Sequence, residues 1–127
     1  MKTIKQSYYI DASVEKVWQA FVDPKIIDRW CGGQAEMDDK TGTKFKLWGG
    51  DVHGTNLEVI KEKKLVQEWY SSDVEGKTLV SFVFSKEKDG TKVELVQEGV
   101  PDKKEKDLAD GWKDYYMEPL KEFVENY

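Results

Sequence analysis

No internal disulfide can form in this chain, because Cys31 is its only cysteine. His53 is likewise the only histidine. One histidine, one cysteine and scattered acids do not supply the three or four ligands that a metal centre needs at workable spacing, so neither a metal nor a cofactor is expected. No apolar run approaches the roughly 20 residues that span a bilayer. Residues 1–9 lack the apolar core of a signal peptide, so a soluble, cytoplasmic protein without membrane contact is expected. An excess of basic charge is also absent: 20 Lys and Arg stand against 25 Asp and Glu, a net charge of −5. A general nucleic-acid binder needs a basic face to displace counterions, so nucleic acid is not an expected partner. The Lys-rich runs at 61–64 and 103–106 are each interrupted by Glu and read as solvated surface. Gly49-Gly50 lacks the Lys and Ser or Thr of a phosphate loop and reads as a turn. There is no internal repeat, low-complexity tract or linker, and 127 residues are the size of one domain.

What the chain has in quantity is aromatic residues: five Trp, six Tyr and five Phe. They fill large volumes with few side chains, which suits a sheet closed over by one helix. The longest periodic segment is the last. From 102 to 127, Leu108, Trp112, Tyr115, Tyr116, Leu120, Phe123, Val124 and Tyr127 recur at steps of three or four, the period of one helix face. Gly111 and Pro119 interrupt this pattern; they predict close packing at the glycine and a bend at the proline, or a mobile lid.

The rest of the chain reads as short strands with two small helices near its start. Residues 3–10 alternate, with Ile4, Tyr8 and Ile10 on one parity and Gln6 between them. Ser13 suits a helix N-cap before Val14, Val17, Trp18 and Phe21. Asp23-Pro24 starts a second helix carrying Ile26, Ile27 and Trp30, which Gly32-Gly33 ends. Strands are predicted over 35–38, 43–48, 52–60, 65–70, 78–85 and 91–98. Turns are predicted at 39–42, Gly49-Gly50, Glu75-Gly76 and Asp89-Gly90, and a bulge at Gly54. Strand, two helices, about six antiparallel strands and one long helix make an α+β domain spanning 1–127.

Several stretches together resemble a known family. Ile10-Asp11-Ala12-Ser13, then Val17-Trp18, Phe21 and Asp23-Pro24, with Trp30 following, is similar to the entry segment of START-like (SRPBCC) domains. More narrowly, the chain resembles the group named for the activator of the heat-shock protein 90 ATPase. Leu47-Trp48-Gly49-Gly50 with Gly54, Leu65-Val66 with Trp69, Gly90-Thr91 with Val93 and Leu95, and Gly111-Trp112 with Tyr115-Tyr116 and Pro119-Leu120 agree with it. The resemblance runs from about Ile10 to the C-terminus. It implies a helix-grip fold: a curved antiparallel sheet of about six to seven strands around a long C-terminal helix, with two short helices closing one end. It also implies an internal cavity that holds apolar molecules in the wider superfamily. The eukaryotic co-chaperone carries a further N-terminal domain, which is not expected here because the chain starts close to the match.

Three classes of function remain open. The first is a module that binds a small apolar or aromatic molecule between the last helix and the sheet. Trp48, Trp69, Phe82, Trp112, Tyr115 and Tyr116 are its candidate walls, or else a filled core. Gln67 and Gln97 share parity with the inward candidates Trp69 and Leu95; they are outward or backbone-bonded positions, or the polar groups that orient a ligand. The second is a protein-interaction domain acting on a chaperone. The third is an acid–base enzyme using His53 or a buried Glu68; a lone histidine reads first as a surface or satisfied core residue, and facing the cavity it would hydrogen-bond a ligand or act as a general base. Cys31 reads as a small buried or half-buried residue rather than a nucleophile; no catalytic residue is assigned.

Overall fold

The computed structural model describes all residues, Met1–Tyr127. Strand β1 (Lys2–Ile10) leads into helices α1 (Val14–Val22) and α2 (Pro24–Cys31). Five strands follow: β2 (Lys44–Leu47), β3 (Val52–Ile60), β4 (Lys64–Ser71), β5 (Val74–Glu87) and β6 (Gly90–Val100). The C-terminal helix is built from a 3-10 turn (Asp102–Lys104), α3 (Glu105–Gly111), a π-helical segment (Trp112–Met117) and α4 (Glu118–Glu125). All neighbouring strands are antiparallel, in the order β1-β6-β5-β4-β3-β2, so β1 closes onto β6 from the opposite end of the chain. The sheet is curved, and the helix lies across its inner face, as the helix-grip reading expects.

Local chemistry sets the helix ends. Ser13 Oγ accepts from the Lys16 N–H at 3.2 Å, capping α1. Asp23 Oδ1 accepts from Lys25 N–H at 2.9 Å, and Pro24 opens α2 where a missing N–H is harmless. Gly32, at φ 100°, ends α2 in the left-handed conformation that other residues avoid. Inside, Val80, Phe82 and Phe84 of β5 and Val93 and Leu95 of β6 alternate onto the buried face as their parity predicts. The Phe21 ring meets Phe82 at 4.8 Å and Phe84 at 4.9 Å, both edge to face, fixing α1 on the sheet.

Several expected elements differ. The sheet has six strands, within the expected six to seven, and the strand expected at 35–38 is not one of them: it contributes only one bridge, Glu36 to Lys46. Gly49-Gly50 is not a two-residue hairpin turn: Leu47 pairs with Val52, and the four residues between form a 3-10 turn with positive φ at Trp48, Gly49 and Gly50. The turn expected at Glu75-Gly76 is made by Ser72-Asp73, since Ser71 pairs with Val74. The register shift in β3 lies between Asn56 and Glu58, not at Gly54. Gly54 has a different task. A Cβ there would overlap the backbone carbonyl oxygen of Glu68, so the close approach of β4 admits only glycine.

The last helix also departs from a regular α-helix. Its buried residues are Trp112, Tyr116, Met117, Leu120 and Val124, while Tyr115 is 71% exposed. Hydrogen bonds to the fifth residue along, rather than the fourth, fit one more residue into the turn. That adds Met117 to the buried face and turns Tyr115 out of it. Pro119, which has no N–H to donate, stands at the first turn of α4 immediately after this segment.

Candidate functional site

The central feature is a set of aromatic rings around Tyr116. Tyr116 is 2% exposed and meets Trp30 at 4.8 Å, Trp112 at 4.9 Å, Phe82 at 5.7 Å and Phe21 at 5.8 Å. Burial pushes its hydroxyl pKa far above the ordinary value, with the nearby Cys31 adding to the rise. The Trp69 and Trp112 rings lie 4.7 Å apart, so the sheet and the π segment touch through two indoles.

Each of these indoles is held by a buried glutamine. Trp69 donates its ring N–H to Gln67 Oε1 at 2.8 Å, and Gln67 Nε2 donates onward to Asn56 Oδ1 at 2.9 Å. Trp112 donates to Gln97 Oε1 at 2.7 Å, and Gln97 Nε2 donates to Thr78 Oγ1 at 3.0 Å. Gln67 and Gln97 therefore face inward, but their amide groups are committed to protein partners. Asn56, fully buried, extends the first chain and was not singled out by sequence reasoning, because an asparagine within a strand carries no sign of what faces it.

Beside this cluster, an open groove of about 630 Å³ runs between the helix and the ends of β3 and β4. Trp48, Trp69, Trp112, Tyr115 and Tyr116 line it, with Gln97, Leu108 and Gly111. Phe82 is buried beneath, in contact with Trp112 and Tyr116, and does not line the groove. Gly111 borders the groove without tight contact: an added Cβ would meet only Tyr115 Cδ2, at 4.0 Å. The close packing expected of this glycine is thus absent.

The mouth is polar. Asp51, Ser72 and Asp73 sit there, on the turns joining β2 to β3 and β4 to β5, beside Ser71 at the end of β4. Ser72 ties the two turns together, its N–H donating to Asp51 O at 3.3 Å and its hydroxyl to Asp51 Oδ1 at 2.6 Å. Ser71 Oγ donates to Asp73 Oδ1 at 3.1 Å. Each residue carries a turn signal in the sequence, yet nothing in sequence marks the two turns as neighbours.

Two residues considered for acid–base chemistry lie elsewhere. His53 is exposed on the outer face of the sheet, stacked on Tyr70 at 5.3 Å and 12°. Its parity is opposite to the inward one, which in β3 is Val52, Gly54 and Asn56. Glu68 is also on the outer face and pairs with Lys77 at 3.2 Å. Cys31 is half-buried, and burial raises its thiol pKa, which disfavours the nucleophilic thiolate. No group of three or more His, Cys, Asp or Glu is placed to hold a metal ion. No helix is long and apolar enough to cross a membrane.

Comparison with known proteins agrees with this architecture. Residues 11–125 match the family model described as activator of Hsp90 ATPase homolog 1-like protein. An activator of 90 kDa heat shock protein ATPase homolog from Dictyostelium discoideum is 27% identical over 94% of this chain and 32% of its own length. The human activator of 90 kDa heat shock protein ATPase homolog 1 is 25% identical over 94% of this chain and 36% of its own. The chain thus spans about a third of the length of these relatives. The crystal structure of an HSP90 activator from Plasmodium falciparum superposes with a TM-score of 0.86 at 24% identity, covering 98% of this chain and 96% of that one.

Proposed function

Because the chain belongs to the activator of Hsp90 ATPase homolog 1-like family yet spans only about a third of the length of its activator relatives, we propose its role from the groove itself. In this reading residues 1–127 form a single START-like domain, acting in the cytoplasm, that takes a small apolar or aromatic molecule between the C-terminal helix and the sheet. The observation that carries it is the groove of about 630 Å³ walled by Trp48, Trp69, Trp112, Tyr115 and Tyr116. That volume is in the range that holds a molecule of drug size. The indole N–H groups of Trp69 and Trp112 are already bonded to glutamines, so these two walls offer ring faces rather than donors. Recognition there rests on apolar burial and stacking.

An amide NMR titration of the purified protein with fatty acids, sterols and aromatic polyketides tests the reading. Shifts confined to the π segment, Trp48 and Trp69 support it. A folded spectrum unmoved by any of them sinks it.

A second reading is a chaperone contact, favoured by the relatives that are activators of a 90 kDa heat shock protein ATPase. The outer face of the sheet supports it, since Tyr70, Leu79 and Val83 leave apolar surface exposed there, outside the groove. Its test is ATP turnover by a 90 kDa heat-shock chaperone with and without this chain. Unchanged turnover, together with no complex on sedimentation, removes it.

A further inference from the structure

We propose that the groove selects a cation: its ligand is a planar aromatic or apolar body carrying a protonated amine, with the body on the indole walls and the amine at the Asp51–Asp73 mouth. This rests on the groove reading above and deepens it by naming the ligand class.

Among the side chains lining the groove are two carboxylates and no Lys, Arg or His. Neither Asp51 nor Asp73 belongs to an ion pair, although seven such pairs exist elsewhere in the protein. Their only side-chain partners are serines, and these donate: Ser72 to Asp51 and Ser71 to Asp73. The serine protons are thereby used, while each carboxylate keeps an oxygen that accepts further bonds. The mouth presents acceptors and negative charge with no matching donor. Deeper in, the indole N–H groups of Trp69 and Trp112 are likewise bonded to Gln67 and Gln97. An anionic ligand would meet repulsion at the mouth and no cationic side chain along the walls. An ammonium meets charge-assisted acceptors and, beside them, the electron-rich faces of tryptophans that no protein cation covers. The mouth is also fixed in place, because Ser72 joins its two turns through both backbone and side chain.

Three probes with one aromatic body and different charge test this: pyrenemethylamine, pyrenemethanol and pyrenecarboxylate, each titrated by fluorescence anisotropy at neutral pH. The amine is expected to bind roughly fivefold to tenfold tighter than the alcohol, as expected for partly exposed ion pairs, and the carboxylate weakest. Raising the salt concentration narrows the gap. Asp51→Asn with Asp73→Asn keeps the serine acceptors and the shape of the mouth, and is expected to remove the preference of amine over alcohol. Alcohol and amine binding alike, or a preference that survives both substitutions, overturns the charge proposal and leaves the groove reading standing. No binding by any probe overturns both.

Discussion

Trp112 donates its indole N–H to Gln97 Oε1 at 2.7 Å, joining the π segment of the last helix to β6 through one buried bond. Gln97→Leu keeps the bulk but leaves that N–H, and the Thr78 hydroxyl at the other end of the amide, without their partner. A buried polar group left unpaired costs about 1–3 kcal/mol. Urea unfolding is expected to show a loss in that range, and the Trp112 indole resonance to move. A variant as stable as the parent, with that resonance unmoved, would show the bond to be dispensable.

Gly54 and Gly76 are expected to respond differently to alanine. At Gly54 the added Cβ overlaps the Glu68 carbonyl, so β3 and β4 must separate, and a loss of about 4 kcal/mol or more is expected. At Gly76 nothing lies within 4 Å, and only the φ of +79° opposes a side chain, a penalty of about 1–2 kcal/mol. Thermal or urea unfolding of both variants decides the matter; equal losses would contradict the close approach of β4.

Tyr115 and Tyr116 are adjacent but play opposite parts. Tyr116→Ala empties the centre of the aromatic cluster, and a loss of about 3–5 kcal/mol is expected, as for other large aromatic truncations. Tyr115→Ala changes an exposed groove wall and is expected to stay within about 0.5 kcal/mol of the parent. Its effect belongs in ligand titrations, where weaker binding of the pyrene probes is expected. Loss of stability without change in binding at Tyr115 would make it a structural residue instead.

The acid limb of stability is expected to depend on Glu125. The carboxylate accepts from the Asp11 N–H at 2.8 Å and from Lys121 at 2.7 Å, and these bonds hold its pKa below the ordinary value of 4.5. A depressed folded-state pKa means stabilisation that is complete above the unfolded value and lost as pH falls through the folded one. The stability gap between the parent and Glu125→Gln is therefore expected to be widest near neutral pH and to close below pH 4.5. Parallel curves through that window would rule out the carboxylate as the cause.

The parity of β5 and β6, the caps of α1 and α2 and the reach of the final helix were legible in sequence because each depends on nearby residues. Ser13, Asp23 and Gly32 act within a few positions of themselves. Gly54 was legible as an oddity but not in its cause, which is a carbonyl fourteen residues away on β4. The side of β3 that His53 takes was not legible from alternation, for the inward side carries glycine and buried asparagine while Leu57 is exposed. Of the groove, the aromatic walls were named from sequence and the glutamines were left open between two roles. The acidic mouth was invisible, because Asp51 and Ser72 meet only once β3 and β4 have paired in the register that sets Val52 opposite Ser71.

The π segment also has a meaning in terms of insertion and deletion. Counted from Trp112, the buried positions of the helix fall at steps of 4, 5, 8 and 12. Remove Tyr115 from the count and they fall at 3, 4, 7 and 11, the stripe of an unbroken α-helix. The helix therefore behaves as a regular one carrying a single surplus residue, and that residue is the tyrosine standing at the groove. A chain shortened by Tyr115 alone would keep its core in phase on both sides of the site and lose only one wall. At this point in the fold, a change of length by one residue alters what the groove presents without altering what holds the protein together.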